Sequence, residues 1–574
     1  MIRFVTCPKS DASPLDKALA PAETVRRARE ALDRLGGVLA ETVRVDTGRL
    51  GIPVFMSVAG PRARKLLPGR KQMGKGSNPE QAEASALMEL VERYSFFSLF
   101  NNSGRKLASM RWSEAEGRRP DGVIPVQRVL QAVGDEGLSP DTARQVLELV
   151  PWRFAEVLDA STGRFLLAPV DLFKALNEYN GASAGNTPEE SVLQGACELV
   201  ERHVSALAER DNQILPTIDP ASIGDPVLLR LLEAFDSNGV RLVLKDMSLG
   251  LPAPTVAVLA WDPATFPEKS EIVFTAGTAA SPVKAAIRAV TEAAQLAGDF
   301  ETGRVYEPSG LSKPASLEAA AWILEGPLTR IEDLPSLSCG DILEELNRLV
   351  RGLDELGFRL YALETTDSEL GLPAHYNIVP GFSFRERTAR GLGPLIGRRL
   401  SEEGDPVESL AAMERLAELL GPAPWLDFQQ GLLALRLEDV PRAEALFSAS
   451  WEKQVSAQDK ALAVFYLAYA QSLRQRWPEV RGNAARAIGL DPTSQAYFNL
   501  RGVSLFQTGE YESAVRDFES ALALDAGSAW DLANLGACLH RMGRDDEAVA
   551  KLAAALELDP DMEFARRHLE DILG

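Results

Sequence analysis

Cysteine and histidine are scarce, with four of each in 574 residues. Cys7, Cys197, Cys339 and Cys538 stand far apart with no Cys-x-x-Cys between any two. That argues against a disulfide framework or a zinc site and fits a reducing compartment. Cys197 reads as a small buried filler, with a redox-sensitive thiol as the other reading. His203, His375, His540 and His568 have no nucleophile or carboxylate in motif spacing, so no triad is read and no general base is identified. A P-loop is also missing, since no Gly-x-x-x-x-Gly-Lys-Ser/Thr occurs. No stretch approaches the ~20 apolar residues of a membrane span, and the opening MIRFVTCPKSDASP has no apolar run of signal-peptide length. Excess positive charge is lacking too. Lys and Arg number 61 against 82 Asp and Glu, a net charge of −21. Bulk electrostatics therefore excludes nucleic acid and an anionic membrane as partners and permits a basic peptide. Together these absences predict a soluble, cytoplasmic chain.

What is present is ordinary in bulk, with 45% apolar and 25% charged residues. The length predicts two or more domains. Two stretches organise the rest. Residues 74–94, GKGSNPEQAEASALMELVERY, run from a Gly-rich turn into a helix carrying Glu89, Glu92 and Arg93. Residues 181–203, GASAGNTPEESVLQGACELVERH, repeat the plan with Glu198, Glu201 and Arg202. On the first helix Ser85, Glu89 and Glu92 fall within about 60° of one face, with Ala84, Leu87, Val91 and Tyr94 opposite. On the second, Glu190, Glu198 and Glu201 share a stripe about 80° wide, with Val192, Ala196 and Leu199 opposite. An acidic stripe is commonly just a solvated face. Two copies, each after a Gly turn, favour a site. Carboxylates without His or Cys suit a hard cation such as Mg²⁺. Backbone N–H groups at a Gly turn and helix start suit phosphate.

In chain order, residues 22–36 predict an amphipathic helix stopped by Gly36-Gly37, followed by strands at Val38–Val45 and Pro53–Ala59. The basic run RARKLLPGRKQM, residues 62–73, precedes the first Gly turn and is expected to help hold a phosphate bound there. Arg153–Leu158 and Arg164–Val170 predict a hairpin. Val240–Lys245, Pro254–Trp261 and Glu271–Ala276 predict three strands, and residues 357–382 two more. Leu249-Gly250-Leu251-Pro252 returns as Leu370-Gly371-Leu372-Pro373, an internal echo that suggests two related halves.

Two motif strings carry a resemblance. Gly74-Lys75-Gly76, then Ser85-Ala86-x-x-Glu89-x-x-Glu92-Arg93-Tyr94, resembles the first nucleotide motif of the YcaO family. Ala184-Gly185-Asn186-Thr187-x-x-Glu190 with Glu198-x-x-Glu201-Arg202 resembles its second. Residues 277–303, carrying Arg288, Glu292 and Gln295, resemble the third, and IVPG at 378–381 is typical near the end of that domain. Many members have an Arg two positions after the third-motif Gln; here it is Ala297, which puts one phosphate contact in doubt. The resemblance implies ATP and Mg²⁺ as cofactors. Glu89, Glu92, Glu198 and Glu201 would hold the metal. Lys75, Ser85, Asn186, Glu190, Arg202 and Arg288 would line the ATP, joined by Lys17 and Thr24 near the first helix. On the residues alone, Lys17 also reads as a solvated lysine and Thr24 as a helix cap. The implied chemistry is phosphorylation of a peptide backbone amide oxygen, followed by attack of a side chain (azoline), sulfide (thioamide) or an amine (amidine).

After about residue 400 a 34-residue period appears. Gly502, Ala514, Phe518 and Ala521 return as Gly536, Ala548, Leu552 and Ala555, and are preceded by Ala468, Val480, Ala484 and Ala487. Gly431, Ala443 and Phe447 begin a degenerate fourth copy. This is the tetratricopeptide pattern, whose stacked helix pairs form a superhelix. The predicted architecture is an α/β (α+β) YcaO-type ATP-binding domain over residues 1–400, then an all-α repeat domain over 401–574. Its units lie near 424–457, 461–494, 495–528 and 529–562, with a capping helix at 563–574. The repeats either bind a peptide or protein substrate or brace the catalytic domain or a homodimer. Azoline-forming members commonly end in a Pro-rich tail, whereas this sequence ends in LEDILG, which points to a thioamide or related product and a sulfur-delivery partner. An azoline-forming cyclodehydratase is the alternative. A nucleotide-regulated adaptor is the reading of a different class.

Overall fold

The computed structural model describes residues 2–10, 17–46, 49–101, 107–267, 270–296, 316–385 and 391–574. The chain divides into two compact units. One combines Met1–Pro140 with Pro151–Arg390, the other Asp141–Val150 with Gly391–Gly574.

Among the described residues, three sheets build the first unit. The first is antiparallel, with strands Leu39–Arg44, Val54–Ala59 and Lys71–Lys75. The second runs in the order Val273–Thr278, Thr255–Trp261, Arg241–Asp246, Thr217–Ile218, Leu328–Thr329, and its last pair is parallel. The third runs Ala108–Met110, Trp152–Asp159, Tyr361–Glu364, Ala374–Ile378, Ala182–Ala184, with Phe165–Pro169 paired to Trp152–Asp159 as the expected hairpin.

Each sheet sends one strand into one long helix. Lys71–Lys75 leads to Pro79–Asn101, Ala182–Ala184 to Pro188–Arg210, and Val273–Thr278 to Pro282–Leu296. All three links are three residues long, and all three helices open on proline, whose missing N–H costs nothing in a first turn. Close packing holds each pair together. A Cβ on Gly74 would stand 2.7 Å from the Cα of Ala86, and one on Gly277 2.5 Å from the backbone of Ala285 and Ala289. The apolar faces lie inward. Ala84, Leu87, Val91 and Tyr94 are buried, as are Val192, Ala196 and Leu199. The Leu-Gly-Leu-Pro echo also has a structural counterpart. Both copies sit between antiparallel neighbours, 241–246 with 255–261 and 361–364 with 374–378. Each follows an aspartate that accepts a backbone N–H two residues on, Asp246 from Ser248 and Asp367 from Glu369.

The basic run does not reach the Gly turn. Lys71 pairs with Val58 and Lys75 with Val54, so residues 61–70 connect at the opposite end of the strand from Gly76, about 17 Å away at the strand rise. Arg64, Lys65, Arg70 and Lys71 are exposed there.

The second unit is helical among its described residues. After Leu392–Glu402 and Pro406–Leu420 come four helix pairs: 424–436 with 440–453, 457–473 with 477–490, 495–507 with 511–524, and 529–541 with 545–558. Glu563–Leu573 closes the array. Small residues sit where helices cross, with Gly502 against Phe518, Gly536 against Leu552 and Gly431 against Phe447. The turn inside each pair carries one left-handed residue, at Glu438, Gln475, Gly509 and Gly543.

Candidate functional site

A cavity of about 350 Å³ opens among the three motif helices, within the size range of small-molecule sites. All twelve residues singled out from the sequence line it. Lys75, Ser85, Glu89 and Glu92 come from the first motif. Asn186, Glu190, Glu198, Glu201 and Arg202 come from the second, Arg288 from the third, and Lys17 and Thr24 from the N-terminal stretch. Ala297 lies outside the described residues. Arg93, Gln194, Thr291, Glu292 and Gln295 also form the walls, although sequence reasoning assigned them no role in binding. Gln194 had a signal, since it continues the stripe from Glu190 to Glu198 at helical spacing.

One end of the cavity is a hydrogen-bonded lattice. Glu190 Oε1 accepts from Asn186 Nδ2 at 3.1 Å, and Oε2 accepts from the Ala18 N–H at 3.0 Å. Thr24 donates to Asn186 Oδ1 at 3.2 Å, so it is not the cap of its own helix, a place Ala20 takes. Gln194 Oε1 accepts from both Lys17 (3.2 Å) and Arg288 (3.0 Å). Lys17 is therefore engaged rather than merely solvated. Glu190 lines the cavity with its oxygens already committed to positioning its neighbours.

The other end gathers charge. Arg93 stands 3.5 Å from Glu89 and 3.3 Å from Glu92, and Arg202 3.8 Å from Glu198. Glu201 accepts the Thr278 N–H at 2.9 Å, tying the second motif to the third. Lys75 pairs with Glu292. Burial pushes the Glu92 carboxyl well above its ordinary range; Arg93 opposes this and Glu198 and Glu89 add to it. Burial raises Glu198 as well, with Glu201 adding and Arg202 and Arg93 opposing. Burial lowers the Lys75 ammonium to about 7, with Arg288 and Arg202 in the same direction and Glu201 and Glu89 against. Cys197, by contrast, is buried and pushed up to about 12, an inert filler.

This arrangement fits a bound cation and anion together. Carboxylates crowded into a low-dielectric pocket repel one another, and a cation relieves that repulsion. Among the described residues no three carboxylate, thiolate or imidazole groups converge tightly enough to enclose an ion by themselves. Mg²⁺ suits such a site, since it takes one or two carboxylates and completes its octahedron with phosphate oxygens and water. The buried Arg288 Nε makes no hydrogen bond, and Arg93 Nη1 has only the 3.3 Å ion pair with Glu92. Buried guanidinium donors of this kind match an anionic oxygen.

Fold and site thus define an α/β class that brings carboxylates and cationic side chains from three strand–turn–helix units to one cavity. The particular family follows from comparison: the chain belongs to the YcaO family, whose sequence model, described as an ATP- and Mg²⁺-binding YcaO cyclodehydratase, matches residues 73–383. A tetratricopeptide repeat model matches residues 505–568. A Rhizobium leguminosarum bv. trifolii protein, described only as uncharacterized and lying in the tfuA 3′ region, is 30% identical over 340 residues, which is 54% of this chain and 74% of that one. An uncharacterized protein of Methanothermobacter thermautotrophicus is 26% identical over 386 residues, 64% of this chain and 94% of that one. Among solved structures, a heterocyclase in complex with substrate and cofactor superposes with a TM-score of 0.53 at 22% identity, covering 67% of this chain. The chain spans about half of that heterocyclase, 54%, and the likeness shows the fold. Lys17 and Thr24 lie outside the matched 73–383, yet the fold brings them to the cavity.

Proposed function

We propose that this chain uses ATP and Mg²⁺ to activate a backbone amide of a peptide or protein client by phosphorylating its oxygen. The observation that supports this most directly is the convergence of all three strand–turn–helix motifs on one oxygen-lined cavity. Bound Mg²⁺ would supply charge neutralisation to the phosphates, held by Glu89, Glu92, Glu198 and Glu201. Ser85, Asn186, Arg202 and Arg288 would orient the nucleotide, with Lys17 and Thr24 at the lattice end. Lys75, with its ammonium near neutrality, would balance charge beside the phosphates. Phosphoryl transfer asks mainly for positioning and electrostatics, which these groups provide. The amide oxygen bonds to the γ-phosphorus as the bond to ADP breaks. A nucleophile then adds to the imidate carbon and loses its proton, and the C–O bond breaks to release phosphate. With sulfide as nucleophile the product is a thioamide. The repeats would dock the client, and a separate protein would deliver sulfide. The family description as a cyclodehydratase favours a second reading, in which a client Cys, Ser or Thr attacks and an azoline forms.

Calorimetric titration of ATP with Mg²⁺ into the native chain and Glu89→Gln tests the site. Binding that depends on Mg²⁺ and weakens at least about tenfold in the variant, about 1.4 kcal/mol, supports it. Equal binding by both chains would remove Glu89 from the metal site. The mass of a modified client then separates the products, since a thioamide exchanges oxygen for sulfur and an azoline loses water.

A further inference from the structure

The acidic stripes of the two long motif helices end alike. Glu89 with Arg93 and Glu198 with Arg202 are matching pairs one turn apart. Arg202 orients the nucleotide under the proposed function; Arg93 lines the same cavity with no part in that scheme. Its guanidinium carbon lies 4.0 Å from the centroid of the Tyr179 ring. Glu92 stands 3.3 Å from its Nη1 and Glu89 3.5 Å from its Nη2, ion pairs that leave both nitrogens with further N–H donors. Tyr179 belongs to the turn between helix Val170–Asn177 and strand Ala182–Ala184. That turn opens with Glu178 at φ +52°, ψ −116°, backbone that a residue with a side chain adopts only when its surroundings impose it. Phe97 flanks the tyrosine ring at 6.5 Å.

A planar guanidinium covered by a ring and held at its edge by carboxylates aims its remaining donors in a fixed direction. The direction matters because of where Arg93 sits. Along helix Pro188–Arg210, Glu190 in the lattice and Glu198 beside Arg93 are about 12 Å apart at the helical rise. Arg93 therefore stands at the carboxylate-rich end, where the reacting phosphate would lie. Resting on the amide-phosphorylation reading, we propose that Arg93 is a catalytic residue that grips the phosphoryl group during its transfer, and that Tyr179 is the positioning residue that holds Arg93 in place. As the β–γ bridging bond breaks and the bond to the amide oxygen forms, ADP departs with the electron pair and charge spreads over the three equatorial oxygens. The Arg93 donors match those oxygens more closely than they match the bound triphosphate.

The test compares two probes on the full-length chain with Mg²⁺: AMPPCP, which mimics the bound triphosphate, and ADP with aluminium fluoride, which mimics the group in flight. Arg93→Gln is expected to bind AMPPCP within about threefold of the native chain and to lose about 100-fold on ADP–aluminium fluoride. Arg93→Lys, which keeps the charge and loses the fork, should fall between. Tyr179→Leu should lose about tenfold on the fluoride complex alone, and Tyr179→Phe should restore native binding. Equal losses on both probes in the Arg93 variants, or no loss on either, overturn the assignment. Tyr179→Phe behaving like Tyr179→Leu removes the ring's role. A native chain that binds neither probe refutes the nucleotide reading itself, a different result from a native chain that binds both and an Arg93→Gln variant that does so equally well.

Discussion

The His375 imidazole lies buried with Nδ1 2.9 Å from Ser191 Oγ, and burial drops its pKa to about 4 against the opposing pull of Glu364. An unfolded histidine protonates near pH 6.5; the folded one resists until about pH 4. The stability contributed by the neutral ring is complete above pH 6.5 and is lost as pH falls toward 4, by about 3 kcal/mol. Urea unfolding at pH 7 and pH 4.5 checks this. The midpoint of the native chain should drop on acidification, and His375→Gln should remove much of that drop. The crowded carboxylates predict the reverse trade. Glu92→Gln relieves a like charge beside Glu89 and Glu198 and is expected to stabilise the ligand-free fold by roughly 1 kcal/mol while abolishing stabilisation by Mg²⁺ and ATP. Thermal unfolding with and without the ligands measures both effects. These residues were legible because three- and four-residue spacing puts Glu89, Glu92, Glu198 and Glu201 on helix stripes. Gln194 obeyed the same spacing but carried no charge to mark it. Tyr179 was illegible, since it meets Arg93 from a turn whose place against the first motif helix is set only by the tertiary fold.

At the level of elements, glycine decides how closely helix and strand approach. At Gly74 an added Cβ meets backbone, whereas at Gly502 it meets the Phe518 ring at 2.9 Å, and a ring can shift where backbone cannot. Gly74→Ala should therefore cost more than Gly502→Ala, both within or above the roughly 1–3 kcal/mol of an overpacked core. Only Gly74→Ala should also weaken nucleotide binding, since Lys75 is its neighbour. Chemical unfolding and calorimetry on the two variants separate these effects. Element by element, the sequence was readable wherever period and punctuation agreed. The helix expected at 22–36 forms at Pro21–Leu35, and the hairpin about residue 160 and the 34-residue repeat are both present. The basic run was misread for a reason a linear sequence hides. Adjacency to Gly74 along the chain is distance along a strand, and the strand carries residues 62–71 away from the cavity while delivering Lys75 to it.

The whole molecule is divided less simply than its composition suggests. The change at residue 400 was visible in the Ala- and Leu-rich helical period. The contribution of residues 141–150 to the second unit was not, because a short helix with ordinary amphipathicity does not announce its partners. Ala143, Val146 and Leu147 of this stretch are buried, and Gln145 accepts from Arg415 at 3.3 Å, one link to the rest of its unit. Ending the chain at Arg390 is thus expected to strip these side chains of their unit and to leave a product that is cut by protease near residues 141–150 and melts below the full chain. Replacing 141–150 with a Gly-Ser linker in the same truncation should recover much of that loss.

The same discontinuity sets a clock on synthesis. A ribosome reaches Gly391 after 241 residues beyond Val150 have been added (391 − 150). At ~5–20 residues per second that is roughly 10–50 s. Throughout that interval the emerging chain carries residues 141–150 without the rest of the unit they belong to. The repeats, made long afterwards, complete a unit begun early in translation.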